Sequence, residues 1–163
     1  ICFSKGLGCP MGSILVGNTE DIIRARRIRK LFGGALRQAG IVAAAAQFAL
    51  ENNIDRLKDD HANARQFAVA LASIDGIQID ADRVKSNLVF FEVDSDLGLA
   101  SQLAGALKEQ GVLVSPLGRR HLRAVTHLDV TATDIERAVA LIRDCMESGI
   151  SATSSGAPGP YSR

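Results

Sequence analysis

Asn87-Leu88-Val89-Phe90-Phe91-Glu92-Val93 is the stretch on which the fold turns. Its β-branched and aromatic content marks a strand, and short elements surround it. Upstream, after Asp75-Gly76, Ile77-Gln78-Ile79 alternates and predicts a partner strand. Downstream, Leu99, Leu103, Ala106 and Leu107 predict a helix ending at Gly111. Val112-Leu113-Val114 and Leu122-Arg123-Ala124-Val125-Thr126 read as two more strands. Thr133-Asp134-Ile135-Glu136 reads as a capping box, opening a helix with Ile135, Ala138, Val139 and Ile142 on one side. The order strand, strand, helix, strand, strand, helix, with short connections, predicts a small α+β domain with helices on one face of a mostly antiparallel sheet.

Working outward toward the N-terminus, Ile54, Leu57, Ala64, Phe67, Ala68 and Leu71 follow helical spacing to about Ser73, with a charged opposite face. This helix is a candidate connector. Before it, Gln38 to Asn52 is alanine-rich with almost no polar face, which predicts a helix buried on most sides. Asn18 can cap an earlier helix with Glu20 and Asp21 in its first turn and basic residues toward its end, both favoured by the dipole; Gly33-Gly34 stops it. Ile1-Cys2-Phe3 and Ser13-Ile14-Leu15-Val16-Gly17 predict a pair of strands around the Lys5 loop. The expected organisation is 1–53, the end of a larger domain; 54–74, the connector helix; 75–148, the small domain; and 149–163, a disordered tail rich in Ser, Gly and Pro. Ile1 opening a strand without Met is read as the mark of a fragment.

Composition narrows the function classes. The 163 residues are 47% hydrophobic and 23% charged, an ordinary globular balance with length for one core or two small ones. A formal net charge of +1 gives no global case for nucleic acid or anionic membrane. Cys2, Cys9 and Cys145 are odd in number and widely spaced, so they predict free thiols in a reducing compartment and no structural zinc. No apolar stretch is long enough to span a bilayer.

Ser4-Lys5-Gly6-Leu7-Gly8 carries the candidate chemistry. A lysine in a turn of small residues suits an amine that another molecule approaches closely, and lysine forms Schiff bases with carbonyl cofactors. A solvated loop lysine is the plain alternative. Arg123 sits mid-strand, where it could point to solvent on the outer sheet face. The run from Arg24 to Lys30 reads as a solvated helix face or a subunit interface. His127 reads as a structural histidine at a strand end, and His61 and His121 as surface residues.

Three blocks then converge: Ser4-Lys5-Gly6-Leu7-Gly8 with Met11-Gly12-Ser13-Ile14-Leu15-Val16-Gly17; Arg29-Lys30-Leu31-Phe32-Gly33-Gly34-Ala35-Leu36-Arg37-Gln38-Ala39-Gly40; and Arg123-Ala124-Val125-Thr126-His127-Leu128-Asp129-Val130. In this order, with the linker helix through Asp60-His61-Ala62-Asn63-Ala64-Arg65, they closely resemble the low-specificity L-threonine aldolases. These are pyridoxal-phosphate enzymes of the aspartate-aminotransferase-like fold, fold type I. Cys9 and Ala35 depart from the family's usual small residues without touching its chemistry. The resemblance implies an α/β chain from the C-terminal part of that fold, with Lys5 as the Schiff-base lysine and Arg123 as the partner of the substrate carboxylate. It implies that Lys30 and Arg37 approach the cofactor phosphate or the substrate of a neighbouring chain. It also implies pyridoxal 5'-phosphate as cofactor, retro-aldol cleavage of L-threonine or L-allo-threonine, a cytoplasmic setting, and a homo-oligomer, dimer or tetramer. The family's phosphate loop, ring-stacking histidine and pyridine-pairing aspartate precede the Lys5 block, so the fragment alone is expected to be inactive. Another lyase of the same fold that performs β-elimination, and a non-catalytic remnant, are the competing readings.

Overall fold

The side-chain oxygen of Asn18 accepts from the Asp21 N–H at 2.9 Å and starts helix α1 (Thr19–Leu31), with Arg29 and Lys30 in its last turn. The computed structural model describes residues 1–94 and 96–150, which fold as two compact units, Ile1–Leu57 and the residues from Lys58 on. The first unit adds helix α2 (Gly40–Asn52). The tail expected over 149–163 lies, from Ser151 on, outside the described residues.

Two expectations for the first unit need correction. The strand pair reduces to a single antiparallel bridge, Cys2 with Ser13, flanked by Phe3 N–H to Gly12 O at 3.0 Å and Ile14 N–H to Ile1 O at 2.8 Å. Two strands without a third are marginal, and Leu15 and Val16 stand about 70% exposed. Helix α2 is not buried on most sides: Ala49 is its one buried residue, and Ile41 and Phe48 are exposed. An apolar sequence records what a helix could bury, not what this unit packs against it. The core of the unit is Phe3, Cys9 and Ala49, with Leu7 and Ala46 against them.

Helix α3 (Leu57–Leu71) lies, past its first residue, in the second unit. That unit continues through β1 (Ile77–Gln78), a single 3-10 turn over Ala81–Arg83, β2 (Leu88–Val93), α4 (Ala100–Glu109), β3 (Ser115–Pro116), β4 (His121–Val125) and α5 (Ala132–Ser148). The sheet order is β1-β2-β4-β3, and every pairing is antiparallel. The predicted order of elements holds, with two shifts. Val112-Leu113-Val114 pairs with nothing in the sheet, and the third strand is Ser115–Pro116. The cap of α5 is Thr131, whose hydroxyl accepts from the Asp134 N–H at 3.2 Å, while Asp134 accepts from the Thr131 N–H at 2.9 Å. Thr133 lies inside the helix.

Alternation decides which face of the sheet is covered. Val89, Phe91 and Val93 of β2 and Leu122 and Ala124 of β4 are buried. They join Phe67 and Leu71 of α3, Leu103 and Leu107 of α4, and Ile142 of α5 in one core. Phe67 and Phe91 meet edge to face, with ring centroids 6.2 Å apart and planes at 86°, a favoured aromatic geometry. Leu88, Phe90, Glu92, His121, Arg123 and Val125 alternate with them and occupy the opposite face.

Candidate active site

Lys5 stands exposed on a loop braced from beneath. Cys9 N–H donates to Phe3 O at 3.0 Å and Gly8 N–H to Lys5 O at 2.9 Å, and the side chains of Phe3 and Cys9 are buried under the loop. Asn53 Nδ2, just past α2, donates to Leu7 O at 2.8 Å. Gly12 has φ +115°, and a Cβ there would meet Val42 Cγ1 at 3.2 Å; only glycine lets the chain close here. An exposed amine on a loop held at both ends suits condensation with an aldehyde. Lys30, in the last turn of α1, and Arg37, between α1 and α2, are both exposed cations. Arg123 belongs to the other unit.

Arg123 lies in β4 opposite Phe90 of β2 and Ser115 of β3. Its side chain is half-buried, and its Nε is closed off from solvent. The sheet end next to it is stitched by polar groups. The buried Thr126 hydroxyl donates to Asp60 O at 2.6 Å; Thr126 N–H donates to Asn87 O at 3.1 Å; Asn87 Nδ2 donates to Thr126 O at 2.9 Å. Asn63 Nδ2 donates to Val130 O at 3.0 Å. Helix α3 therefore holds both the end of β4 and the chain that follows it.

Other titratable groups divide clearly. On the open sheet face His121 Nε2 is 3.0 Å from Glu92 Oε1, and Arg120 Nη2 is 3.6 Å from Glu92 Oε2. A cavity of about 660 Å³ opens beside them, reaching Gln78, Leu88 and Phe90 but not Arg123. His127 Nδ1 is 3.8 Å from Asp129 Oδ2, a local partner. The Ser4 hydroxyl, 3.3 Å from Cys2 Sγ, holds that exposed thiol below its usual range. Burial pushes the Cys145 thiol up. Among the described residues no group of three or more His, Cys, Asp or Glu could hold a metal, and no helix is long and apolar enough to cross a membrane.

The open face escaped sequence reasoning. Glu92, Arg120 and His121 come together only through the β2–β4 register, as does Phe90 with Arg123. Alternation within each strand signals which residues share a face, but not which residue lies opposite which.

The fold matches part of larger solved chains. A protein of Listeria monocytogenes assigned as an L-allo-threonine aldolase superposes with a TM-score of 0.69 at 22% identity, covering 90% of this chain and 43% of that one. The 8-amino-7-oxononanoate synthase of Francisella tularensis superposes with a TM-score of 0.62 at 19% identity, covering 90% and 44%. The beta-eliminating lyase family model matches residues 1–96, and the chain belongs to that family. Among curated proteins, the low specificity L-threonine aldolase of Escherichia coli K12 is 43% identical over 142 residues, 86% of this chain and 40% of its own length. The low-specificity L-threonine aldolase 1 of Arabidopsis thaliana is 34% identical over 147 residues, 90% and 41%. The chain thus spans about 40% of the length of the curated relatives it matches.

Proposed function

We propose that this chain is the part of a pyridoxal-phosphate-dependent threonine aldolase that carries the Schiff-base lysine and the carboxylate anchor, the whole enzyme cleaving L-threonine or L-allo-threonine to glycine and acetaldehyde. The observation that carries the reading is the exposed Lys5 on its braced loop, in a chain 43% identical over 142 residues to a threonine aldolase. Pyridoxal phosphate, when bound, supplies the electron sink for breaking the Cα–Cβ bond. Lys5 would hold the cofactor through its amine and yield it to the substrate amine. Arg123 would grip the substrate carboxylate with its planar fork and so set the orientation of the breaking bond. Lys30 and Arg37 would neutralise phosphate or carboxylate charge in a neighbouring chain of a homo-oligomer, a dimer or tetramer working in the cytoplasm.

Alone, the 163 residues are expected to hold the cofactor weakly and to release no acetaldehyde. The test is borohydride reduction at rising pyridoxal phosphate, followed by peptide mapping. Lys5 is expected to carry the label ahead of Lys30, Lys58, Lys85 and Lys108, and Lys5→Ala to remove the early label; even labelling of all five, or acetaldehyde release by the isolated chain, would contradict the reading. The family's name favours β-elimination as a second reading. A chain completed to its relatives' length with the N-terminal part of the E. coli enzyme separates the two: glycine and acetaldehyde mark the aldolase, a keto acid and ammonia the eliminase.

A further inference from the structure

Phe90 and Arg123 are partners across β2 and β4, and the hydrogen-bond rhythm of that ladder determines how near their side chains come. Thr126 N–H donates to Asn87 O at 3.1 Å, and Val93 N–H donates to Arg120 O at 3.0 Å. Antiparallel pairs alternate between hydrogen-bonded and non-hydrogen-bonded, and side chains stand closer in the second kind. Stepping by twos from either anchor makes Val89–Ala124 and Phe91–Leu122 bonded pairs. Leu88–Val125, Phe90–Arg123 and Glu92–His121 are then the close, non-bonded pairs. The last of these shows the effect, its side chains touching at 3.0 Å.

Apolar side chains share this face with Arg123, beside the charged Glu92 and His121. Phe90 is 54% exposed, Leu88 40% and Val125 44%, and none of the three faces the core. On the other side, the register partner of Arg123 is the small Ser115. Arg123 is thus the close cross-strand partner of an aromatic residue, with the exposed apolar side chains of Leu88 and Val125 on the same face.

We propose that Phe90 is a positioning residue for Arg123: its ring holds the guanidinium plane, and with Leu88 and Val125 it keeps water from the carboxylate that the guanidinium binds. The proposal rests on the reading of Arg123 as the carboxylate anchor. Arginine stacks readily on aromatic faces, and an ion pair strengthens as water is withdrawn from it.

The experiment uses the nitrogen-15-labelled chain, with sodium acetate as the carboxylate probe against sodium chloride at equal ionic strength. The Arg123 Nε–H resonance is identified by its loss in Arg123→Lys. It should move saturably with acetate and not with chloride. In Phe90→Leu, which keeps apolar bulk and removes the ring, the resting resonance should move, and the acetate affinity read at it should fall roughly two- to fivefold. Phe90→Tyr should restore both; Phe90→Met is the second ring-less variant should Phe90→Leu lose its dispersed amide spectrum. Unchanged acetate affinity in the ring-less variants overturns the role of Phe90 and leaves the carboxylate reading standing. Failure of Phe90→Tyr to restore overturns it too, since the effect would then not belong to the ring. Absence of any acetate response at Arg123 in the unaltered chain removes the carboxylate reading, and the proposal with it.

Discussion

Gly76 adopts φ +83° at the turn into β1, and a Cβ built there would lie 2.1 Å from Leu97 Cδ1 and 2.8 Å from Met146 Cε. Both a left-handed backbone and a filled space oppose any side chain. Gly76→Ala should destabilise the second unit by roughly 1–3 kcal/mol, read as a lower urea midpoint; an unchanged midpoint would refute this. The cysteines differ in the same local way. Cys2 is exposed and its thiol is lowered by the Ser4 hydroxyl, whereas Cys145 is buried and raised. Iodoacetamide should therefore modify Cys2 first, and Ser4→Ala should shift the pH at which its rate rises upward. Some of this scale is written in the sequence. Asp60 falls in register with Leu57, Ala64, Phe67 and Leu71, so the spacing already places it on the apolar side of α3, where it is fully buried. Its carbonyl's partner, Thr126, is 66 residues away, and no local pattern reveals that.

Helix α5 shows what an element owes to its ends. Thr131 and Asp134 satisfy each other's backbone N–H groups, so Thr131→Ala should cost about 1 kcal/mol, measured by chemical denaturation. The Thr131 hydroxyl and N–H hold the Asp134 carboxyl below the usual carboxylate range. The unfolded chain binds this proton more readily, so the stabilisation is present above the unfolded pKa and is lost as pH falls through the folded one. Asp134→Asn should flatten the fall in thermal midpoint on acidification; an equally steep fall would exclude this carboxyl as a contributor. The sequence reading starts this helix at Thr133, two residues later than the observed cap. The buried stripe Ile135, Ala138, Val139 and Ile142 fits either start, and the reciprocal Thr131–Asp134 hydrogen bonds make the choice. Similarly, Val112-Leu113-Val114 has strand composition without a ladder to join, because the pairing with β4 begins at Ser115.

For the whole molecule, burial is unequally shared. The second unit gathers residues from α3, β2, α4, β4 and α5 into one core, while the first relies on Phe3, Cys9 and Ala49, and α1 buries no residue at all. Stability follows buried apolar area, and opening is cheapest where that area is least. Backbone amides of α1 should exchange with deuterium orders of magnitude faster than those of β2 and β4; comparable protection would disprove this imbalance. Phe67→Ala, which empties the centre of the larger core, should lower the urea midpoint through a loss of about 3–5 kcal/mol. The small α+β unit was the most legible region because its signals are local and agree with one another. The α2 surface was the least legible, because exposure depends on neighbours that composition does not name.

Pro116 occupies β3, at one margin of the sheet. Its pyrrolidine nitrogen offers no proton, so a stray peptide laid along that margin finds a gap in the row of donors it would need. The opposite margin, β1, is only 2 residues long. A short strand at one margin and a proline at the other make both sides poor templates for cross-β growth.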